Sequence, residues 1–174
     1  LKAVAKCNHR APRVRVTVVG DGRERTSLMA LADSLHLEPN AVRFAGRLPH
    51  REALNTLADA HVGVVLHLST EHTDTTVANK LFDYMAAGLA VVSSSARPMA
   101  RIVGESSCGE VVASGEPDGV VNAIDRLWDD DHRHRCAVAG WQAVATTYHW
   151  ERDVDRLLAA LEAATRTRRG RASE

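Results

Sequence analysis

The run Val77-Ala78-Asn79-Lys80-Leu81-Phe82-Asp83-Tyr84-Met85-Ala86-Ala87-Gly88-Leu89-Ala90-Val91-Val92 changes its hydrophobic period at a single glycine. Before Gly88, the residues Leu81, Tyr84 and Met85 recur at helical spacing, and after it four apolar residues in succession read as a buried strand. Gly88 therefore ends a predicted helix over residues 77–87, and a strand over 89–92 follows at once. A helix that feeds directly into a wholly apolar strand belongs to a parallel sheet covered on both faces.

The same alternation continues on either side. Upstream, a strand at 14–19 closes on Gly20-Asp21-Gly22, and a helix follows at 23–35. Next come a strand at 42–45 ended by Gly46, a helix at 50–60, a buried strand at 62–66, and a loop rich in Thr and His up to Thr76. Downstream, a short helix at 99–103 and a strand at 109–112 precede helices at 117–128, 132–148 and 151–164. The predicted fold class is α/β: a Rossmann-like, doubly wound parallel sheet flanked by helices, with a helical C-terminus. Residues 1–7 look like the end of a helix with no strand before it. That pattern predicts that a first strand, and a whole preceding domain, lie outside this sequence. The domain itself is expected over residues 1–164, followed by a basic, disordered tail at 165–174.

Composition narrows the function classes. The 174 residues, 45% of them apolar, suffice for one domain with a sizeable core. Basic and acidic side chains balance at 22 each, so no general nucleic-acid-binding face is expected. The longest apolar run, 62–66, is too short for a transmembrane segment, and no signal peptide is expected. Cys7, Cys108 and Cys136 are odd in number and form no C-x-x-C pair, which reads as reduced thiols in a cytoplasmic protein.

In an open parallel sheet, ligands bind beyond the carboxyl ends of the strands. Those ends are Gly20-Asp21-Gly22, Gly46-Arg47, His67-Leu68-Ser69 and Ser93-Ser94-Ser95. The glycines allow close approach of a ligand to the backbone, or simply make tight turns. A dinucleotide fingerprint is absent, because no third glycine follows Gly22 at the required place and no acidic residue follows the second strand. The stronger signal is the start of the 77–87 helix. With Thr76 as its N-cap, the N–H groups of Val77, Ala78 and Asn79 would point outward unpaired and suit a phosphate or diphosphate. Asn79, Lys80 and Asp83 share one flank, where a lysine supplies charge and a carboxylate can accept two ribose hydroxyls. The competing reading is a solvent-exposed Lys80–Asp83 pair worth ~0.3 kcal/mol, and spacing alone favours it.

The segment Asn79-Lys80-Leu81-Phe82-Asp83-Tyr84-Met85-Ala86-Ala87-Gly88 resembles the donor-site helix of retaining, family-four glycosyltransferases of the GT-B fold. Residues 16–22 resemble that family's strand and glycine turn, residues 42–46 its next strand, and His149-Trp150-Glu151 the start of its terminal helix. The resemblance thus spans nearly the whole sequence and implies the C-terminal half of a GT-B fold. It places Asp83 at the nucleotide ribose, and Val77, Ala78 and Asn79 at the diphosphate, with Lys80 either near the phosphates or on the helix surface. Gly46 and Arg47 fall beside the nucleobase, and Gly20, Asp21 and Gly22 near the phosphates or ribose.

Many members carry two glutamates separated by seven residues; here the second position is Asp83 and the first is Thr75, which has no charge. The basic pair that neutralises the diphosphate in the family would precede residue 1. The implied function is binding of a nucleotide-diphosphate sugar donor for transfer to an acceptor with retention. No cofactor and no bound metal are implied, and the sequence alone would be inactive without its acceptor-binding N-terminal domain. The expected setting is the cytoplasm, and peripheral membrane association of the full enzyme would be decided largely by the missing N-terminal half.

Two alternatives remain at this level: a non-catalytic α/β module that binds some other anion, and a GT-B nucleotide-sugar epimerase. A third cluster, Asp129-Asp130-Asp131-His132-Arg133-His134, contains metal-ligand types but reads as a solvated, capped helix start.

Overall fold

A computed structural model describes the backbone of residues 1–9 and 14–171. Its strands are β1 (Val16–Val19), β2 (Val42–Gly46), β3 (Val62–Val65), β4 (Ala90–Ser94) and β5 (Gly109–Val112). The helices are α1 (Lys2–Asn8), α2 (Arg25–Ser34), α3 (His50–Asn55), α4 (Lys80–Ala86), α5 (Arg97–Ser106), α6 (Pro117–Leu127), α7 (Asp130–Thr146) and α8 (Trp150–Arg171). All strand pairing is parallel, as the alternation of strands and helices requires. The strands form two ladders, β1–β2 and β3–β4–β5.

β4 is the centre of the larger ladder, and every one of its residues is buried. Val91 faces a cluster with Leu81 and Met85 of α4 and Met99, Ile102 and Val103 of α5. Ala90 and Val92 face the opposite way, onto Ala123 and Leu127 of α6 and Cys136 of α7. This two-sided burial is why the strand reads as an unbroken apolar run. The smaller ladder alternates: Val16 and Val18 are half-buried while Thr17 and Val19 are exposed. β3 departs from the expected buried strand, since Val64 and Leu66 are exposed. β1, β2, β3 and β5 each have one edge without a strand partner among the described residues.

Helix boundaries follow local chemistry. α4 ends in a Schellman motif, with Leu89 N–H on the Tyr84 carbonyl (3.0 Å), Gly88 N–H on Met85 (3.1 Å) and Gly88 at φ +69°. α7 starts at Asp130, capped by the Asp129 carboxylate on His132 N–H at 2.6 Å. The helix expected at 50–60 tightens after Asn55 into a 3-10 turn, Thr56–Asp59. α5 is longer than expected, because Pro98 stands in its first turn, where proline is tolerated. The backbone of α8 runs to Arg171, and the last part of the expected tail, 172–174, lies outside the described residues.

Candidate functional site

β3 delivers the chain into a turn-rich loop at 66–79 whose hydroxyls bond to other groups of the same loop. Thr73 Oγ1 donates to the Leu68 carbonyl at 2.6 Å and accepts from Thr70 N–H at 2.8 Å. Thr75 and Thr76 both send their hydroxyls back to the His72 carbonyl, at 2.9 and 3.0 Å. This overturns the expected helix start at Val77 with Thr76 as its cap: α4 begins at Lys80, after Asn79. The physical reason is a competing acceptor, because a Thr hydroxyl bonded to a local carbonyl closes a turn and does not cap a helix. Val77 and Ala78 then run without helical structure, half-buried against the Val65–Leu81–Met85 cluster.

The outcome still leaves a row of donors. Among the described residues, the N–H groups of Val77, Ala78, Asn79 and Lys80 meet no acceptor, and the first amide satisfied is Leu81, on the Ala78 carbonyl at 2.9 Å. Three residues past Lys80, Asp83 is half-buried, and its carboxylate has no hydrogen-bond or ion-pair partner among the described residues. The ion pair that spacing alone favoured, Lys80–Asp83, does not form; Lys80 is exposed and unpaired among the described residues. The neighbouring Tyr84 hydroxyl is pushed up from its ordinary pKa by burial and further by the Asp83 charge. Its ring lies against Gly63 of β3, where no side chain would fit, and Phe82 meets Tyr148 with ring centroids 5.6 Å apart. These contacts fix α4 by its buried face and leave the flank with Lys80 and Asp83 accessible.

The other expected site residues form a second group at the carboxyl end of the smaller ladder. Gly20 N–H donates to the Gly46 carbonyl at 2.8 Å, which brings the two glycine turns together, and Gly46 sits at φ +70°. Asp21 lies 3.9 Å from Arg25, Gly22 accepts from Arg25 N–H, and Arg47 is exposed. Among the described residues no hydrogen bond or ion pair joins this group to α4.

Sequence reasoning missed two residues. Asp74 accepts the Ser69 hydroxyl at 2.8 Å and the Arg97 N–H at 3.1 Å, and these two contacts, the Arg97 one foremost, hold its carboxyl below the usual range. Ser114, beyond β5, links the exits of β3 and β4 through His67, Ser69 and Ser95. Only the cluster of small polar residues at the strand ends pointed that way. At 129–134 Asp129 serves as the helix cap, and no group of three or more ligand-type side chains among the described residues gathers to hold a metal.

A family model described as "Glycosyl transferases group 1" matches residues 1–130. The chain belongs to that family. The phosphatidyl-myo-inositol mannosyltransferase of Mycolicibacterium smegmatis is 28% identical over 150 residues, covering 86% of this chain and 37% of the relative. The chain thus spans little more than a third of the length of that curated relative. Among solved structures, HepE of Anabaena in complex with UDP-glucose aligns over 94% of this chain and 43% of its own, with TM-score 0.74 and 21% identity. A structure described as the C-terminal domain of a glycosyl transferase group 1 family protein from Francisella tularensis matches 84% of this chain and 76% of its own, with TM-score 0.70 and 17% identity. These structures share the Rossmann-like α/β fold of group 1 glycosyl transferases of GT-B architecture.

Proposed function

We propose that this chain is the donor-binding domain of an enzyme that transfers a sugar from a nucleotide-diphosphate sugar to an acceptor, with retention. The observation that carries the reading is the row of amides from Val77 to Lys80 and the Asp83 carboxylate, all without a partner among the described residues, on the segment that resembles the family's donor helix. The amides suit the diphosphate, whose negative charge grows as the glycosidic bond breaks, so donors fixed in advance stabilise the transition state more than the ground state. Asp83 would accept two ribose hydroxyls, Lys80 would add positive charge, and Gly46 and Arg47 would border the base. Gly20, Asp21 and Gly22 would complete the phosphate or ribose side. The complex of HepE with UDP-glucose supports a donor of this class.

The same reading makes the chain one half of an active site, inactive without an acceptor-binding domain. Each ladder ends in open edges, β1 and β2 in one and β3 and β5 in the other, and one more parallel strand between β1 and β3 would join them in the doubly wound order. No helix among the described residues is long and apolar enough to cross a membrane. On its three free cysteines we place the enzyme in the cytoplasm, with any peripheral membrane association decided by its N-terminal domain.

The test is a titration of the labelled protein with UDP, GDP, ADP and pyrophosphate, followed by NMR, in wild type and Asp83→Ala. Shifts selective for one base at Gly46, Arg47 and residues 77–83, weakened by Asp83→Ala, are expected. Equal response to all four ligands would reduce the site to a generic anion binder. Conversion of free donor without acceptor would point to an epimerase.

A further inference from the structure

The β3–α4 loop is held from outside at two places. Near its start, the Ser114 hydroxyl accepts from Ser69 N–H at 2.9 Å and donates to the His67 carbonyl at 3.2 Å, while Ser114 N–H reaches Ser95 Oγ at 3.3 Å. Near its end, Asp74 takes the Ser69 hydroxyl on both carboxylate oxygens, at 2.8 and 3.0 Å, and the Arg97 N–H at 3.1 Å. Arg97 opens α5, whose own N-cap Ala96 provides no side-chain bond, so Asp74 caps that helix from a different part of the chain. Among the described residues, no other charged side chain of the loop has a partner outside it. The row of free amides begins at Val77, three residues after Asp74.

We propose that Asp74 is a positioning residue for donor binding: by tying the β3–α4 loop to the start of α5, it fixes where the 77–80 amides and Asp83 stand. The proposal rests on the donor-site reading above. A loop set in place before the ligand arrives spares the ligand the entropy of ordering it. A carboxylate suits the task because it is acceptor-only and receives both donors, whereas an amide in its place keeps one acceptor oxygen. Asp74 touches no donor atom in this scheme; it acts through the backbone that follows it.

The experiment is a calorimetric titration of the intact polypeptide that carries this chain with UDP, GDP and ADP, comparing wild type with Asp83→Ala, Asp74→Ala, Asp74→Asn and Ser69→Ala. Asp74→Ala is expected to raise Kd for the bound nucleotide about tenfold with unchanged stoichiometry. Asp74→Asn and Ser69→Ala should fall between it and wild type, and Ser69→Ala should add nothing in the Asp74→Ala background. An unchanged Kd, or a fall in stoichiometry at unchanged Kd, would overturn the proposal, the latter by showing a folding role alone. Should Asp74→Ala fail to fold, Ser69→Ala decides alone: a raised Kd supports the clamp and an unchanged one removes it. If wild type binds no nucleotide, or Asp83→Ala binds as wild type does, the donor-site reading itself fails and takes the proposal with it.

Discussion

Glu110 on β5 meets His132 in the first turn of α7, Oε1 to Nε2, at 3.0 Å. The other carboxylate oxygen of Glu110 takes Arg126 of α6 at 2.7 and 2.8 Å, so one side chain ties the larger sheet to two helices. Burial alone would raise the pKa of this carboxyl, but the Arg126 and His132 contacts outweigh it and hold the group below its ordinary range. A carboxyl depressed in the folded state adds stability above its unfolded pKa and loses it as pH falls through the folded one. Glu110→Gln should therefore lower unfolding free energy near neutrality by about 1–2 kcal/mol. The difference should shrink as pH falls below the ordinary glutamate value of about 4.3 and vanish only below the depressed folded-state value. Denaturant unfolding across pH measures this, and parallel curves would deny the pair any stabilising part.

Gly63 faces the ring of Tyr84, and a Cβ there would lie 2.3 Å from Tyr84 Cγ. Gly63→Ala must displace either β3 or α4, at a cost of about 1–3 kcal/mol. Because Asp83 precedes Tyr84, the shift should reach the candidate site as well. Lower thermal stability together with weaker nucleotide binding is expected. A loss of stability with binding untouched would show that the strand, not the helix, gives way.

The order of strands and helices was legible because the apolar period changes at a recognisable stop: Gly88 in a left-handed conformation ends α4 and releases β4 into the core. The Asp129 cap could also be read, since donor and acceptor stand three residues apart. The start of α4 could not. Thr75 and Thr76 have the chemistry of caps, and only the position of the His72 carbonyl decides that they close a turn instead. Asp74 was hidden for a different reason, because its partner Arg97 N–H is 23 positions away and carries no side-chain signature. The exposure of Val64 was equally invisible, since a β-branched run looks the same whether or not a neighbouring strand covers it.

Lys80 is exposed and forms no ion pair with Asp83, although helical spacing would permit one. Lys80→Ala should accordingly leave unfolding free energy within about 0.5 kcal/mol of wild type. If the donor site includes Lys80, the same change should weaken pyrophosphate binding and flatten its dependence on salt, since one cation close to the ligand is lost. Calorimetry at two ionic strengths checks this. Unchanged affinity and salt slope would assign Lys80 to the helix surface alone.

The two ladders should differ in how firmly they are held. β4 is hydrogen-bonded on both edges and buried on both faces, whereas β1, β2, β3 and β5 each keep one edge without a strand partner among the described residues. Amide protection follows the opening free energy of the surrounding unit, which is highest where burial and pairing are most complete. In hydrogen exchange on the 174-residue polypeptide, amides of Ala90–Ser94 should exchange slowest, and those of β1 and β2 should exchange much faster. If the chain is one half of a longer enzyme, as proposed, a strand entering between β1 and β3 would slow exchange in both of these strands while changing β4 little. Equal protection of the two ladders in the short polypeptide would mean that they already fold as one unit and that the open edges need no further strand.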